Sequence, residues 1–274
     1  MTQEPTTNQA VCYRHPDRAT GLSCSQCGRP ICGSCVIAGT VGQFCPECDA
    51  VRGRQRIIQA GRRGGLRQHA PITFSLMVAA IAVFALRYLA PARFEEVARL
   101  LAQSNFQVDG GQWWRLFTPV FVHYQGFHIF FNMWALYQLG PGVEQRLGRA
   151  SYLLLYFACA GVGGLFAYLL GSPGDVLIGA SGAIFGLFGI WFHAAVRARG
   201  TAWGRSLLSN LGLVLVLNAA LPLIYPQISW QGHLGGFLAG LAMAQVWTVV
   251  RNDRLRPLVP LGVILAVVTL TAIL

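Results

Sequence analysis

The chain contains no lysine and few charged residues of either sign for its length. Of its 274 residues, 11% are charged and 54% are apolar, with a mean hydropathy of +0.49. A soluble domain of this length carries about 25% charged residues, so the deficit argues against a soluble fold and indicates a polytopic membrane protein. The net charge of +11 comes entirely from arginine, a bias that indicates a GC-rich bacterial genome.

An apolar leader is also missing from the amino-terminal part. The first 69 residues are polar and rich in cysteine, so we expect no signal peptide. Cysteine is nearly absent from the rest, because seven of the eight cysteines lie before residue 49. The eighth, Cys159, stands alone in an apolar run, where a buried thiol is expected to pack rather than to react.

The early cysteines and one histidine form four pairs, each with two residues between its partners. This gap lets both members of a pair reach one ion, and thiolates favour zinc over cations that prefer oxygen. Eight ligands predict two closed, structural zinc sites, and no metal is expected in catalysis. Disulfides are the alternative, but seven cysteines cannot all pair. The predicted ligands are Cys12, His15, Cys24, Cys27, Cys32, Cys35, Cys45 and Cys48.

The spacing of the pairs favours a cross-braced arrangement. Four residues separate Cys27 from Cys32, which makes a sequential arrangement cramped. We therefore expect the first pair to share an ion with the third, and the second with the fourth. The module resembles a B-box or RING-like double zinc finger. A segment of about forty residues buries little core, so the metal would supply most of its folding energy.

A basic linker and seven apolar runs follow the cysteine-rich segment. The linker, residues 49–69, contains six arginines and is expected to be a solvated tether that is attracted to anionic lipid. Runs of 17 to 19 residues indicate membrane-spanning helices at the short end of the usual range. Buried helices of a soluble protein are the alternative, which the scarcity of charge disfavours. The runs cover residues 72–90, 123–139, 152–170, 180–196, 207–224, 232–250 and 258–274.

Arginine is concentrated in alternate loops. It occurs before the first run and after the second, fourth and sixth, but not after the third or fifth. The positive-inside bias therefore predicts a multi-pass protein of the cell membrane with a cytoplasmic N-terminus and an extracytoplasmic C-terminus. The long first outer loop is the exception. Residues 94–101 predict an amphipathic interfacial helix there, and Trp113, Trp114 and Arg115 predict an interfacial anchor.

Polar side chains recur near the starts of the second, fourth and sixth runs. These runs are predicted to cross in the same direction, so His128, Ser181 and His233 should lie at one depth near the outer face. Polar groups at matching depth on separate helices indicate a shared wet cavity. A serine becomes nucleophilic when a base takes its proton, and neutral imidazole suits this role. We therefore predict Ser181 as nucleophile and His233 as base.

Small residues and missing carboxylates refine this prediction. Asp175 is in a loop and Glu144 is near the opposite face, which favours a dyad over a triad. His128 and Asn132, one turn apart, are available with the Ser181 backbone N–H to donate to an oxyanion. Glycines spaced by four residues would let the fourth and sixth runs approach closely. These glycines are Gly182, Gly186, Gly232, Gly236 and Gly240.

Five short motifs occur in order over about residues 70–250. The motifs are Trp114-Arg115, His128-Ile129-Phe130-Phe131-Asn132, Gly140 and Glu144 with Gly148, Gly179-Ala180-Ser181-Gly182, and Gly232-His233 with Gly236 and Gly240. The Gly-x-Ser-x-Gly elbow of other hydrolases is not present, because residue 183 is alanine. Together the five motifs resemble, in order, those of the rhomboid intramembrane serine proteases.

The resemblance implies specific roles and a substrate class. It implies Ser181 as nucleophile, His233 as general base, and His128 with Asn132 at the oxyanion. The implied substrates are single-pass membrane proteins that enter between the second and fifth helices and are cut at or near the outer membrane face. A catalytically silent rhomboid-like protein that binds membrane clients is the alternative, and that class typically lacks the serine or the histidine. A transporter with a zinc sensor is disfavoured, because we find no internal repeat.

These inferences define the expected architecture and partners. The fold is an all-α six-helix rhomboid core plus a C-terminal seventh transmembrane helix, preceded by a small zinc-stapled cytoplasmic domain. The expected partners are the bilayer, membrane-protein substrates with a transmembrane segment and no nucleic acid. The zinc domain is expected to recruit a cytosolic protein or to tune access from inside. The predicted domains are 1–48 (zinc-binding), 49–69 (linker), 70–250 (core) and 251–274 (loop and seventh helix).

Overall fold

The structure is a computed structural model with two compact units, Met1–Gly65 and Leu66–Leu274. It describes residues 10–38, 43–50, 70–225, 228–250 and 252–273. Residues 1–9 and nearly all of the predicted basic linker lie outside the described residues.

The first unit is built from short strands around a core of thiols. Strands β1 (Val11–Cys12) and β2 (His15–Ala19) pair antiparallel, as do β3 (Ile37–Ala38) and β4 (Gln43–Phe44). Among the described residues, the buried core consists of five cysteines with Ile31 and Phe44. Ile31 and Phe44 alone bury little apolar surface, so the folding free energy of this unit depends on what its thiols bind.

The second unit is mostly helical, and each of the seven predicted apolar runs overlaps one long helix. Two 3-10 turns, Trp113–Leu116 and Thr118–Phe121, and one strand pair complete the loops. The pair joins β5 (Gln103–Ser104) to β6 (Val176–Leu177) in antiparallel register. The helices are α1 (Pro71–Leu89), α2 (Pro91–Leu101), α3 (Asn105–Asp109), α4 (Gly126–Leu147), α5 (Arg149–Leu170), α6 (Ser181–Arg197), α7 (Ala202–Ile224), α8 (Trp230–Val249) and α9 (Leu258–Ile273).

The long helices differ in how strongly they suit a membrane. Within the described part of the chain, α1, α5 and α7 are long and apolar enough to cross a bilayer, and α9 is a shorter apolar helix. Helix α6 has 17 residues, while α4 and α8 contain the polar side chains at the centre of our predictions. The polar side chains therefore fall on the helices that were predicted to form the site.

Helix α4 corrects two of the predicted boundaries. It begins at Gly126 rather than at residue 123, and it continues through Pro141 to Leu147, so Glu144 lies within the helix and not after it. The buried Glu144 carboxylate accepts hydrogen bonds from Ile72 N at 2.9 Å, Thr73 N at 2.8 Å and Thr73 Oγ1 at 2.7 Å. It thereby satisfies N–H groups at the start of α1 that have no partner within that helix.

The first outer loop contains the predicted helix, but Arg115 is not an interfacial anchor. Its side chain is buried and donates to Arg99 O at 2.7 Å, Ala102 O at 2.6 Å and Gln112 Oε1 at 2.6 Å. The guanidinium fork thus binds carbonyl groups at the C-terminal end of α2, where the helix leaves them without partners. The anchor prediction was wrong for Arg115, which ties the loop together from inside.

Helices α6 and α8 pack with their backbones in direct contact. A Cβ added to Gly236 would lie 1.9 Å from Gly182 O, and one added to Gly240 would lie 1.9 Å from Gly186 O. No other residue fits at these two positions without moving a helix. This close approach sets the distance between side chains at the first turns of α6 and α8.

Candidate active site

The first turns of α6 and α8 bring together a serine and a histidine. Ser181 is the first residue of α6, and its Oγ lies 2.8 Å from His233 Nε2, in the first turn of α8. The Ser229 hydroxyl accepts a hydrogen bond from Gly232 N at 3.1 Å, so it caps α8 just before the histidine. This geometry allows direct proton transfer between the two side chains.

The His233 ring is stacked on an aromatic side chain. Phe185 lies 4.1 Å from it between ring centroids, at an interplanar angle of 8°. The stacking fixes the plane of the imidazole, a task that a carboxylate performs in a serine–histidine–aspartate triad. The sequence analysis missed Phe185, although a residue four positions after Ser181 on the same helix face was an available signal.

The turn before Ser181 is shaped around a second histidine. Gly179 has a φ of +102°, and a Cβ there would lie 2.6 Å from His128 Nε2. Its N–H donates to Pro119 O at 2.9 Å, which ties the turn to the first outer loop. Glycine is required at this position by both the backbone angle and the space. His128 therefore packs against Gly179, which lies two residues before Ser181.

A third histidine lies behind the same turn. His123 is fully buried, its Nε2 accepts from Ala180 N at 3.4 Å, and its ring centroid is 4.9 Å from that of His128. Its full burial indicates a structural role. A fourth histidine, His193, pairs with Gln245 through Nε2 at 2.8 Å, on an exposed part of α6 and α8.

Asn132 is engaged by its own helix. Its Nδ2 donates to His128 O at 2.9 Å, and among the described residues its Oδ1 has no hydrogen-bond partner. The amide lies one turn from His128, as the spacing predicts, and this bond engages one of its two N–H groups. Its role at an oxyanion, like that of His128, stays a prediction.

A small cavity adjoins the serine and the histidine. Its volume is about 20 Å³, which is room for about one water molecule. Small residues dominate its walls, and Leu116 of the first outer loop closes one side. The lining residues include Gly163, Gly179, Gly182, Ala183, Gly232 and Leu116.

The amino-terminal unit contains two candidate metal centres among its described residues. In each, the four ligand atoms lie within 4.8 Å of one another, and together they show the cross-braced grouping that the spacing favoured. Four protein ligands leave no open position, which fits a structural ion rather than a catalytic one. The clusters are Cys12, His15, Cys32 and Cys35, and Cys24, Cys27, Cys45 and Cys48.

One arginine supports the all-cysteine cluster. Arg29 Nε donates to Cys27 Sγ at 3.3 Å, and this hydrogen bond lowers the pKa of the Cys27 thiol. Arg29 also lies over the Tyr13 ring at 4.4 Å and pairs with Glu47 at 3.1 Å. The cation therefore favours the thiolate form, which is the form that binds metal.

The fold and the site together define a class of protein: a helical membrane bundle with a serine–histidine pair at the ends of two closely packed helices. Comparison with known proteins agrees. The family model of the rhomboid domain matches residues 110–250. The chain therefore belongs to the rhomboid family, and with its apolar helices it is a multi-pass membrane protein.

Three bacterial relatives illustrate the match. The chain is 35% identical to the rhomboid protease GluP of Bacillus subtilis over 143 residues, 52% of this chain and 28% of GluP. It is 32% identical to the rhomboid protease candidate YdcA of the same organism over 140 residues, 51% of this chain and 70% of YdcA. It is 32% identical to the rhomboid protease GlpG of Pectobacterium atrosepticum over 184 residues, 65% of this chain and 64% of GlpG. The chain thus spans less than two thirds of GluP and GlpG.

Proposed function

We propose that this protein is an intramembrane serine endopeptidase that cleaves single-pass transmembrane proteins at or near the outer membrane face. The observation that carries the proposal is the 2.8 Å contact between Ser181 Oγ and His233 Nε2. The names of the relatives as rhomboid proteases support it. Both residues that the catalytically silent alternative typically lacks are present and in contact.

The reaction follows from this pair. Ser181 Oγ attacks the carbonyl carbon of the scissile peptide bond while His233 Nε2 accepts the hydroxyl proton. His233 then gives this proton to the leaving amine as the C–N bond breaks, which leaves an acyl ester on Ser181. A water molecule, deprotonated by His233, hydrolyses the ester and restores the serine. The Phe185 stack keeps the imidazole in one plane through both steps.

Donors to the oxyanion come from the start of α6 and from α4. The Ser181 backbone N–H lies at the N-terminus of α6, where it has no partner within the helix and where the helix dipole favours negative charge. His128, which packs on Gly179, would be a second donor. Asn132 can join them through its second amide N–H, since the bond to the His128 carbonyl uses only one.

The direction of the helices supports the proposed topology. The dyad lies at the N-terminal ends of α6 and α8, whereas Arg146 and Arg197 lie at the C-terminal ends of α4 and α6. With arginine on the cytoplasmic side, the dyad faces the exterior and the N-terminal unit lies in the cytoplasm. A side entrance between α4 and α7 fits the exposure of α7, where Leu213, Val216 and Leu217 are more than half exposed.

We also propose that the two cysteine clusters each bind one structural zinc ion. The all-soft donor sets favour zinc over hard cations, and a cytoplasmic location keeps the thiols reduced. Bound zinc would hold the strands of this unit together, in place of the apolar core that the described residues lack.

The dyad is tested with purified protein and a single-pass model substrate in vesicles. Ser181→Ala and His233→Ala should each abolish cleavage and labelling by a fluorophosphonate, since each removes one partner of the proton transfer. Ser209→Ala and His193→Ala are matched controls and should leave cleavage unchanged, because Ser209 is exposed and His193 lies about three turns along α6 from Ser181. Undiminished cleavage by Ser181→Ala would contradict the proposal.

The metal proposal is tested by elemental analysis of the purified chain. We expect about two zinc ions per chain. Cys12→Ser and Cys24→Ser should each lose one ion, whereas Cys159→Ser, outside both clusters, should keep both. A chain without zinc and with oxidised cysteines would refute the assignment. Deleting residues 1–48 and comparing cleavage with binding partners then separates recruitment from control of access.

A further inference from the structure

The seventh long helix, α9, packs behind the wall of the candidate active site. It lies against α5 and against the 3-10 turn Trp113–Leu116. Val267 is buried to 3% exposure, whereas Leu265, two positions earlier on the same helix, is 58% exposed. One face of α9 is therefore buried against the core, and the opposite face is left to lipid.

The cluster around Val267 reaches the cavity. Its buried members are Val108, Leu116, Phe117, Leu165 and Val267, and Ile264 packs against them. Leu116 is also part of the cavity wall that contains Ser181 and His233. Leu116 thus belongs both to the packing of α9 and to the lining of this cavity.

The turn that holds Leu116 sits in a glycine notch of α5. A Cβ added to Gly161 would lie 2.2 Å from Phe117 Cε1, and one added to Gly164 would lie 2.5 Å from Leu116 O. The turn lies in this notch of α5, and α9 packs against both α5 and the turn. The two glycines leave room for the turn to pack directly on α5, and α9 is a further helix that packs against this turn.

We propose that α9 is a positioning element for the substrate pocket. Val267 acts by holding Leu116, at the end of the 3-10 turn, and Phe117, which follows it, in the glycine notch of α5. This inference rests on the proposed function, because it concerns the pocket of the same dyad. Val267 does not touch the substrate. It fixes the pocket wall against which the residue before the scissile bond packs, and thereby contributes to selectivity.

The test compares two substrates that differ only in the residue before the scissile bond, alanine against phenylalanine. Val267→Ala should lower the ratio of their kcat/KM values about tenfold, since a loosened wall admits the larger side chain. Ile264→Val, a milder change in the same cluster, should shift the ratio in the same direction by less. Leu265→Ala, on the exposed face of α9, is the matched control and should keep the wild-type ratio.

Thermal unfolding of the same variants separates positioning from stability. A lower unfolding midpoint for Val267→Ala with an unchanged ratio would overturn the proposal, because α9 would then be only structural support. An equal shift of the ratio in Leu265→Ala would overturn it too. An inactive wild-type chain would instead refute the proposed function, so the two failures are distinguishable.

Discussion

The contact between Gly236 and Gly182 provides the sharpest test of how the dyad is held together. In Gly236→Ala, the new Cβ would lie 1.9 Å from Gly182 O, whereas ordinary contact begins at 3.4 Å, so α6 and α8 must separate by about 1.5 Å. Gly182 directly follows Ser181, and residue 236 lies three positions after His233. The separation therefore acts almost directly on the 2.8 Å hydrogen bond and lengthens it to about 4 Å, beyond the reach of proton transfer.

The expected result is a large loss of kcat in a protein that still folds. Misplacement by this distance lowers kcat by about 100-fold, or about 2.7 kcal/mol of activation free energy. Overpacking costs about 1–3 kcal/mol of stability, which thermal unfolding measures separately. Gly212→Ala, in α7, is the matched control, because among the described residues no atom beyond its own helix turn lies within 4 Å of the new Cβ. A folded Gly236→Ala variant with the wild-type kcat would refute the idea that backbone contact sets the dyad distance.

Three further predictions concern other parts of the chain. Glu144→Gln removes a charged acceptor from the start of α1 and should lower the free energy of unfolding by about 1–3 kcal/mol, measured by thermal denaturation with the dyad still open to fluorophosphonate labelling. A thiol-alkylating reagent should not inhibit cleavage, because Cys159 is fully buried, and inhibition in a chain whose zinc is retained would contradict this. Arg29→Ala removes the hydrogen bond that lowers the pKa of Cys27. Zinc release during acid titration should therefore begin at a higher pH than in the wild type, and an unchanged profile would argue against the role of Arg29.

Much of the architecture was predictable because it depends on local pattern. Seven apolar runs became seven long helices, and paired cysteines at a fixed gap became two clusters of four ligands. Hydrophobic length and ligand spacing are properties of short segments, so they can be read before any tertiary contact is known. The ends of the helices were less predictable, since α4 continues past the polar residue Glu144 to Leu147.

The misreadings share a cause. Arg115 has a long side chain with a charged end and follows two tryptophans, a pattern that is typical of a membrane interface. Its guanidinium instead donates to carbonyl groups at the end of α2, and the side chain is buried there. Phe185 and Leu116 are ordinary apolar residues whose importance depends on what lies beside them.

Bacterial origin also stays a prediction, because the relatives include plant and parasite proteins.

By itself, the sequence determined the seven apolar runs, the eight candidate metal ligands and which serine and histidines were candidates, because spacing along the chain is enough for each. It favoured the cross-braced grouping of the ligands, and the structure showed that grouping. The tertiary structure alone decided that Ser181 and His233 are 2.8 Å apart, that Phe185 orients the imidazole and that α9 lies behind the pocket. These facts depend on how closely two backbones approach and on which faces meet. Such distances arise from packing between segments that are remote in the chain, and no local pattern specifies them.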